Sequence, residues 1–133
     1  MVNIEGIIKT FDEIYDATSV PHVFIRIPKT GTQSMNIAIG QRWDHYSAAF
    51  CKGHLGTKWD ETFSFSIVRN PWARMYSFFK YHKQHSDQEQ HRLYREYDFE
   101  SWVMDGFPHH YNQPHQKILF PKNPHIQYDW VSE

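Results

Sequence analysis

Lys29, Thr30, Gly31, Thr32 and Ser34 put one cation, three hydroxyls and a glycine into a single short stretch. An apolar run, Val23 to Ile27, leads into it and Pro28 ends that run. Met35-Asn36-Ile37-Ala38-Ile39 follows with the pattern of a helix start. A strand, a tight loop and a helix start aim backbone N–H groups at one point in space. The helix end adds partial positive charge and Lys29 a full one, so such a point binds phosphate or sulfate. A second group follows in Arg69-Asn-Pro-Trp-Ala-Arg-Met-Tyr-Ser77. A guanidinium holds a phosphate through two parallel hydrogen bonds, and a serine hydroxyl adds a donor. Arg74, inside that stretch, suits either ligand contact or a surface ion pair. Between the two groups lies Gly53-His54-Leu55, a glycine-flanked histidine whose side-chain type is a natural general base near neutral pH.

The remaining histidines are less directive. His82 and His85 are spaced i, i+3 on an expected helix, with His91 beyond, but no third ligand is placed by spacing, so no metal site is expected. His109, His110 and His115 fall in a stretch that can border an acceptor cleft. Aromatic side chains can stack on a sugar face, although core packing is their commoner fate.

Composition narrows the class. The chain has 133 residues, read as one domain over 1–133, with 40% hydrophobic and 17% aromatic residues. The formal net charge is −1, which argues against a nucleic-acid partner. Cys51 is the only cysteine, so an intrachain disulfide or cysteine zinc cluster is excluded. No run of apolar residues is long enough to span a membrane and the first residues lack signal-peptide character, so a cytoplasmic protein is expected.

The elements that must position these residues can be read in order. Apolar spacing predicts an amphipathic helix over 3–16, a strand over 22–28 and a helix over 32–41. Trp43 to Ser47 suggests a short strand, and Lys52 to Gly56 a loop. A strand is expected over 63–69, then a helix from Pro71 to about His85. On it Trp72, Met75, Tyr76 and Phe79 are expected to face the core, and Arg74, Ser77 and Tyr81 the other side. Residues 86–97 read as exposed helix or mobile loop. Asp98 caps a short helix, Phe99 to Met104, stopped by Gly106. A short helix over 113–120 and a final strand over 125–131 complete the chain. Three strands separated by helices suggest an α/β fold with a short parallel sheet, whose carboxyl edge carries both Lys29 and Arg69.

The order Pro-Lys-Thr-Gly-Thr-x-Ser is not a Walker A loop, in which the lysine follows the glycines. It resembles the 5′-phosphosulfate loop of sulfotransferases that use 3′-phosphoadenosine-5′-phosphosulfate (PAPS). The Arg69-to-Ser77 stretch resembles the 3′-phosphate motif of the same family, Arg-x-Pro-x-x-Arg-x-x-Ser. The Gly53-His54 pair resembles the one that glycosaminoglycan 2-O-sulfotransferases carry in this interval. The resemblance runs from Phe24 to about Val131 and implies a reduced, P-loop-like sulfotransferase fold. It implies transfer of a sulfuryl group from PAPS, leaving 3′-phosphoadenosine-5′-phosphate (PAP), to a hydroxyl of a glycan or small molecule, with no metal. By the same resemblance His54 is the catalytic base and Lys29 stabilises the leaving phosphate. Lys29, Thr30, Gly31, Thr32, Gln33, Ser34, Arg69 and Ser77 bind the nucleotide. Two features depart from the pattern. Gln33 stands where many relatives have a small residue, and Ile126 to Glu133 resembles a strand that precedes further structure in relatives. The alternatives are a PAP-binding module without catalysis, a fragment needing a partner chain, and a P-loop phosphotransferase.

Overall fold

The computed structural model describes residues 22–39 and 45–133. The expected helix over 3–16 lies outside them. Strand β1, His22–Ile25, pairs in parallel with β2, Phe63–Ser66, in the register His22 with Phe63 through Ile25 with Ser66. Val23, Phe24 and Ile25 are all buried, as befits a parallel strand covered on both faces. Phe24 stacks on Phe65 at 5.1 Å between ring centroids, and the Ser66 hydroxyl donates to the Ile25 carbonyl at 2.7 Å. Both strands end sooner than their sequences suggest. The connection between them holds helix α1, Thr32–Ile39, helix α2, Ala48–Leu55, and a 3₁₀ turn, Gly56–Glu61. Helix α3, Pro71–Gln84, follows β2, and a 3₁₀ segment, Glu89–Glu96, packs back on it. Helices α4, Phe99–Met104, α5, Pro114–Leu119, and α6, Gln127–Val131, complete the order. This is a mixed arrangement of helices with a short two-stranded parallel sheet, compatible with the α/β class.

Four expectations are corrected. Residues 45–47 are irregular rather than a strand, and residues 52–55 belong to α2 rather than a loop. Ser47 caps α2 by accepting from the Phe50 N–H at 3.2 Å, and Ala48, Cys51 and Leu55 seat it in the core. Its stop is Gly56, at φ 58°. The expected third strand is the one-turn helix α6. Its alternating apolar pattern is not used: Trp130 is fully buried and donates to the Pro124 carbonyl at 2.9 Å, while Ile126 and Tyr128 are exposed. Helix α3 is also rotated from the expected phase. Arg74, Met75, Phe78, Phe79 and His82 are buried, whereas Trp72 is 72% exposed. The helix carries large apolar side chains all round, so periodicity alone leaves its phase open.

Two apolar clusters result. One gathers Val23, Ile25, Ile27, Cys51, Leu55, Trp59, Leu119 and Trp130 around the sheet. The other gathers Met75, Phe78, Phe79, Tyr94 and Trp102 beneath α3. Tyr94 and His91 come from the segment expected to be exposed. Three residues apart, they share one side of a 3₁₀ helix, and both are buried. Asp98 caps α4 as expected, accepting from the Ser101 N–H at 2.8 Å. Among the described residues, no helix is long and apolar enough to cross a membrane.

Candidate anion-binding site

The candidate site is built on the turn after β1. Lys29 and Gly31 both adopt positive φ, 67° and 79°. Glycine takes that conformation without strain, whereas lysine does so only where its surroundings hold it. Three anchors do so here. The Thr30 hydroxyl donates to the Ile27 carbonyl at 2.8 Å, and Arg74 Nε donates to the Pro28 carbonyl at 2.9 Å. Arg69 Nη1 donates to the Lys29 carbonyl at 3.3 Å. Helix α1 starts at Thr32, directly after the turn.

The turn opens into a cavity of about 350 Å³. Lys29, Gly31, Thr32, Gln33 and Ser34 line one side, and Arg26, His45, Tyr81, His82 and Tyr111 contribute to the rest. The Lys29 ammonium sits 4.4 Å from the centre of the Tyr81 ring. Arg26 Nη2 donates to the Thr32 hydroxyl at 3.2 Å, and with its amide oxygen turned inward Asn36 accepts from both Nη1 and Nε at 3.1 Å. Burial, and then the nearby Arg69 guanidinium, hold the Lys29 ammonium below its usual pKa. Among the described residues no carboxylate lines the cavity. Positive charge therefore converges here without an acidic side chain in the wall to offset it.

The structure assembles the first motif and part of the second. Lys29 and Gly31 to Ser34 face the cavity, and Thr30 is buried beneath it. Arg69 reaches the turn through the Lys29 carbonyl but is not in the wall. Its backbone is paired to the Gln127 amide, at 2.8 and 2.7 Å. Ser77 lies one helical turn before Tyr81, on the same side of α3, outside the wall itself. Arg74 makes neither of the contacts expected of it. It is 1% exposed and spends its guanidinium on three backbone carbonyls, Pro28 at 2.9 Å, His125 at 2.9 Å and Pro124 at 3.0 Å. Burial pushes its pKa down to about 10, so it stays charged at neutral pH.

His54 is on α2, stacked on Phe50 at 5.9 Å, and does not line this cavity. His45 does, and sequence reasoning passed over it. Its Nδ1 donates to the Arg26 carbonyl at 2.7 Å, which leaves Nε2 as the basic nitrogen. Arg26 and Tyr111 were also missed. Arg26 lies just after the strand that the motif leaves, a position that could have been flagged. Tyr111 reaches the cavity only through the fold. His109 lines a neighbouring cavity of about 420 Å³ that shares Tyr111 with the first, and His115 sits half-buried on α5. His110 packs elsewhere, against His82 and His91 at 4.7 and 4.8 Å between ring centroids. Burial keeps His82 and His110 neutral, with pKa values down to about 3 and about 4.

Compared with protein-family models, with curated proteins and with solved structures, the chain finds no significant match.

Proposed function

We propose that the chain is a PAPS-dependent sulfotransferase with a P-loop-like fold, acting on a hydroxyl of a glycan or small molecule. One observation carries this reading. The turn of the Pro-Lys-Thr-Gly-Thr-x-Ser motif opens, at positive φ, into a cavity lined by Lys29 and Arg26 and by no described carboxylate. The order of the two motifs along the chain supports it. In this scheme the 5′-phosphosulfate rests on the Lys29–Ser34 turn. Arg69 and Ser77, from outside the wall, hold the 3′-phosphate. The acceptor oxygen attacks sulfur in line, a new S–O bond forms, and the S–O bond to the 5′-phosphate breaks. Lys29 and the start of α1 stabilise the charge that builds on the departing phosphate. A phosphotransferase is less well supported, because that chemistry uses acidic Mg²⁺ ligands and the described wall offers none.

The acceptor proton goes to a histidine. The family resemblance assigns that role to His54. The cavity favours a second candidate, His45, whose ring is in the wall with Nε2 as its basic nitrogen. The neighbouring cavity bordered by His109 and Tyr111 is a route for the acceptor.

Calorimetry with PAP, PAPS, ATP and AMP tests the donor site. PAP and PAPS are expected to bind at least tenfold more tightly than AMP. Equal affinity for PAP and AMP removes the role given to Arg69 and Ser77. Turnover of PAPS with single variants His54→Ala and His45→Ala then finds the base. Loss of the true base lowers the rate roughly 10²–10⁴-fold while leaving PAP affinity in place. No loss in either variant overturns both assignments.

A further inference from the structure

His82 from α3, His91 from the 3₁₀ segment and His110 from the following loop meet in one cluster. One ring nitrogen from each lies within 4.8 Å of the other two. The three rings stand 4.7 to 4.8 Å apart by centroid. His82 and His91 are buried, 5% and 9% exposed. Three imidazoles so close, with little water to solvate them, call for a reason beyond packing.

We propose that these three histidines bind a divalent transition-metal ion of the zinc class. The ring nitrogens are oriented for it. His82 Nδ1 can only donate to the Phe78 carbonyl, at 2.8 Å, so its Nε2 carries the lone pair. Such a backbone partner behind a ligand ring is the usual device for fixing the metal-binding tautomer. The His110 Nδ1 lies 2.8 Å from the Tyr94 hydroxyl, which can accept from it and leave Nε2 for the metal. His91 Nδ1 is buried and has no hydrogen-bond partner among the described residues, the kind of orphaned nitrogen that a metal ion would satisfy. Neutral imidazole is the form that binds metal.

Imidazole nitrogens suit zinc, copper, nickel and cobalt rather than magnesium or calcium. Phe78 and Tyr94 pack on the His82 ring and supply the apolar shell that such sites use. Three protein ligands leave a fourth position for water, and His82 also borders the anion cavity, from which water can reach the ion. The ion staples the 3₁₀ segment and the loop of His110 onto α3, which matters where the described residues form only a two-stranded sheet. His85, the partner that helical spacing first suggests for His82, is not in the cluster. The site does not depend on sulfuryl transfer, and either reading can fail alone.

The full chain is stripped with a chelator, and then Zn²⁺ and Co²⁺ are added, with native mass spectrometry, cobalt absorption and melting temperature as readouts. The expected result is one ion per chain, a visible cobalt spectrum of tetrahedral type, and a higher melting temperature with Zn²⁺. His91→Ala and His110→Ala should each weaken Zn²⁺ binding by more than the roughly 10–100-fold that loss of an outer partner costs. His85→Ala should bind as the parent does. X-ray absorption on the parent with Zn²⁺ keeps the proposal testable if the variants fold poorly, with three imidazole nitrogens expected on zinc. No zinc retained at micromolar concentration, binding undiminished in both variants, or fewer than three imidazoles on the ion overturns the proposal. PAP affinity of the stripped protein, measured alongside, reports on the donor site separately.

Discussion

Lys29 combines two properties that pull in different directions. Its backbone sits at φ 67°, which a β-carbon resists, and its ammonium faces a cavity where burial, and then the nearby Arg69 guanidinium, lower its pKa. Strain and like-charge crowding at one residue fit a position kept for binding an anion. In the proposed sulfuryl transfer, the charge counts most when the sulfur–oxygen bond breaks. Lys29→Ala is expected to lower turnover by about 10²–10³-fold, while PAP affinity falls by less than tenfold. Lys29→Gly should show the same kinetic loss but melt higher than Lys29→Ala, because glycine adopts positive φ without penalty. Kinetics and calorimetry on both variants check this. Unchanged turnover with weaker PAP binding reduces Lys29 to a binding residue.

At the scale of elements, Arg74 ties the turn after β1 to two other segments of the fold. From α3 it donates to Pro28 at the start of the turn and to Pro124 and His125 ahead of α6. Hydrogen bonds to a charged group in the interior are worth about 1.5–3 kcal/mol each, and lost donors leave buried carbonyls unsatisfied. Arg74→Lys keeps the charge but cannot reproduce a three-pronged fork. It should lower unfolding free energy by roughly 2–4 kcal/mol in urea titrations. It should also weaken PAP binding, since the turn loses the anchor on its first carbonyl. A variant as stable as the parent shows that the three carbonyls find other donors. This arginine also shows the reach of a motif. Its place in the Arg-x-Pro-x-x-Arg-x-x-Ser pattern is plain in the sequence, but only the packing of α3 turns it inward.

At the scale of the whole molecule, stability rests on two apolar clusters. Cys51, fully buried in the sheet-side cluster, reports on the first. Burial raises its thiol pKa from 9.0 to about 12. The folded state thus holds that proton more tightly than the unfolded state. The resulting stability is intact below about pH 9 and is lost as pH rises toward about 12. In this window the parent should lose up to about 1.4 kcal/mol per pH unit more than a Cys51→Ala variant. Denaturant titrations between neutral and alkaline pH measure the difference. At pH 8, alkylation of native Cys51 should be no faster than global opening allows. Rapid native alkylation contradicts the burial.

Local chemistry was legible from the sequence wherever one residue type left few choices. Pro28 and Gly31 mark the turn, Asn70-Pro71 starts α3, Asp98 caps α4, and the β-rich runs at Val23 and Phe63 form the paired strands. The motif order pointed to a turn that binds an anion; the structure shows that turn opening into a cavity whose lining includes Lys29 and Arg26. What the sequence left open was decided by contacts between distant segments. The phase of α3 is set by a buried arginine seeking carbonyls on two other segments. The stretch 125–131 became a helical turn because Trp130 fills the core through one turn rather than along a strand. Glycine at position 53 did not break α2, because Cys51 and Leu55 anchor the helix on either side. His45 and Tyr111 entered the cavity wall, and His91 and His110 met His82, only when the chain closed over them. A spacing rule reports neighbours within one helix or strand, whereas a site built from separate elements exists only once their packing brings them together.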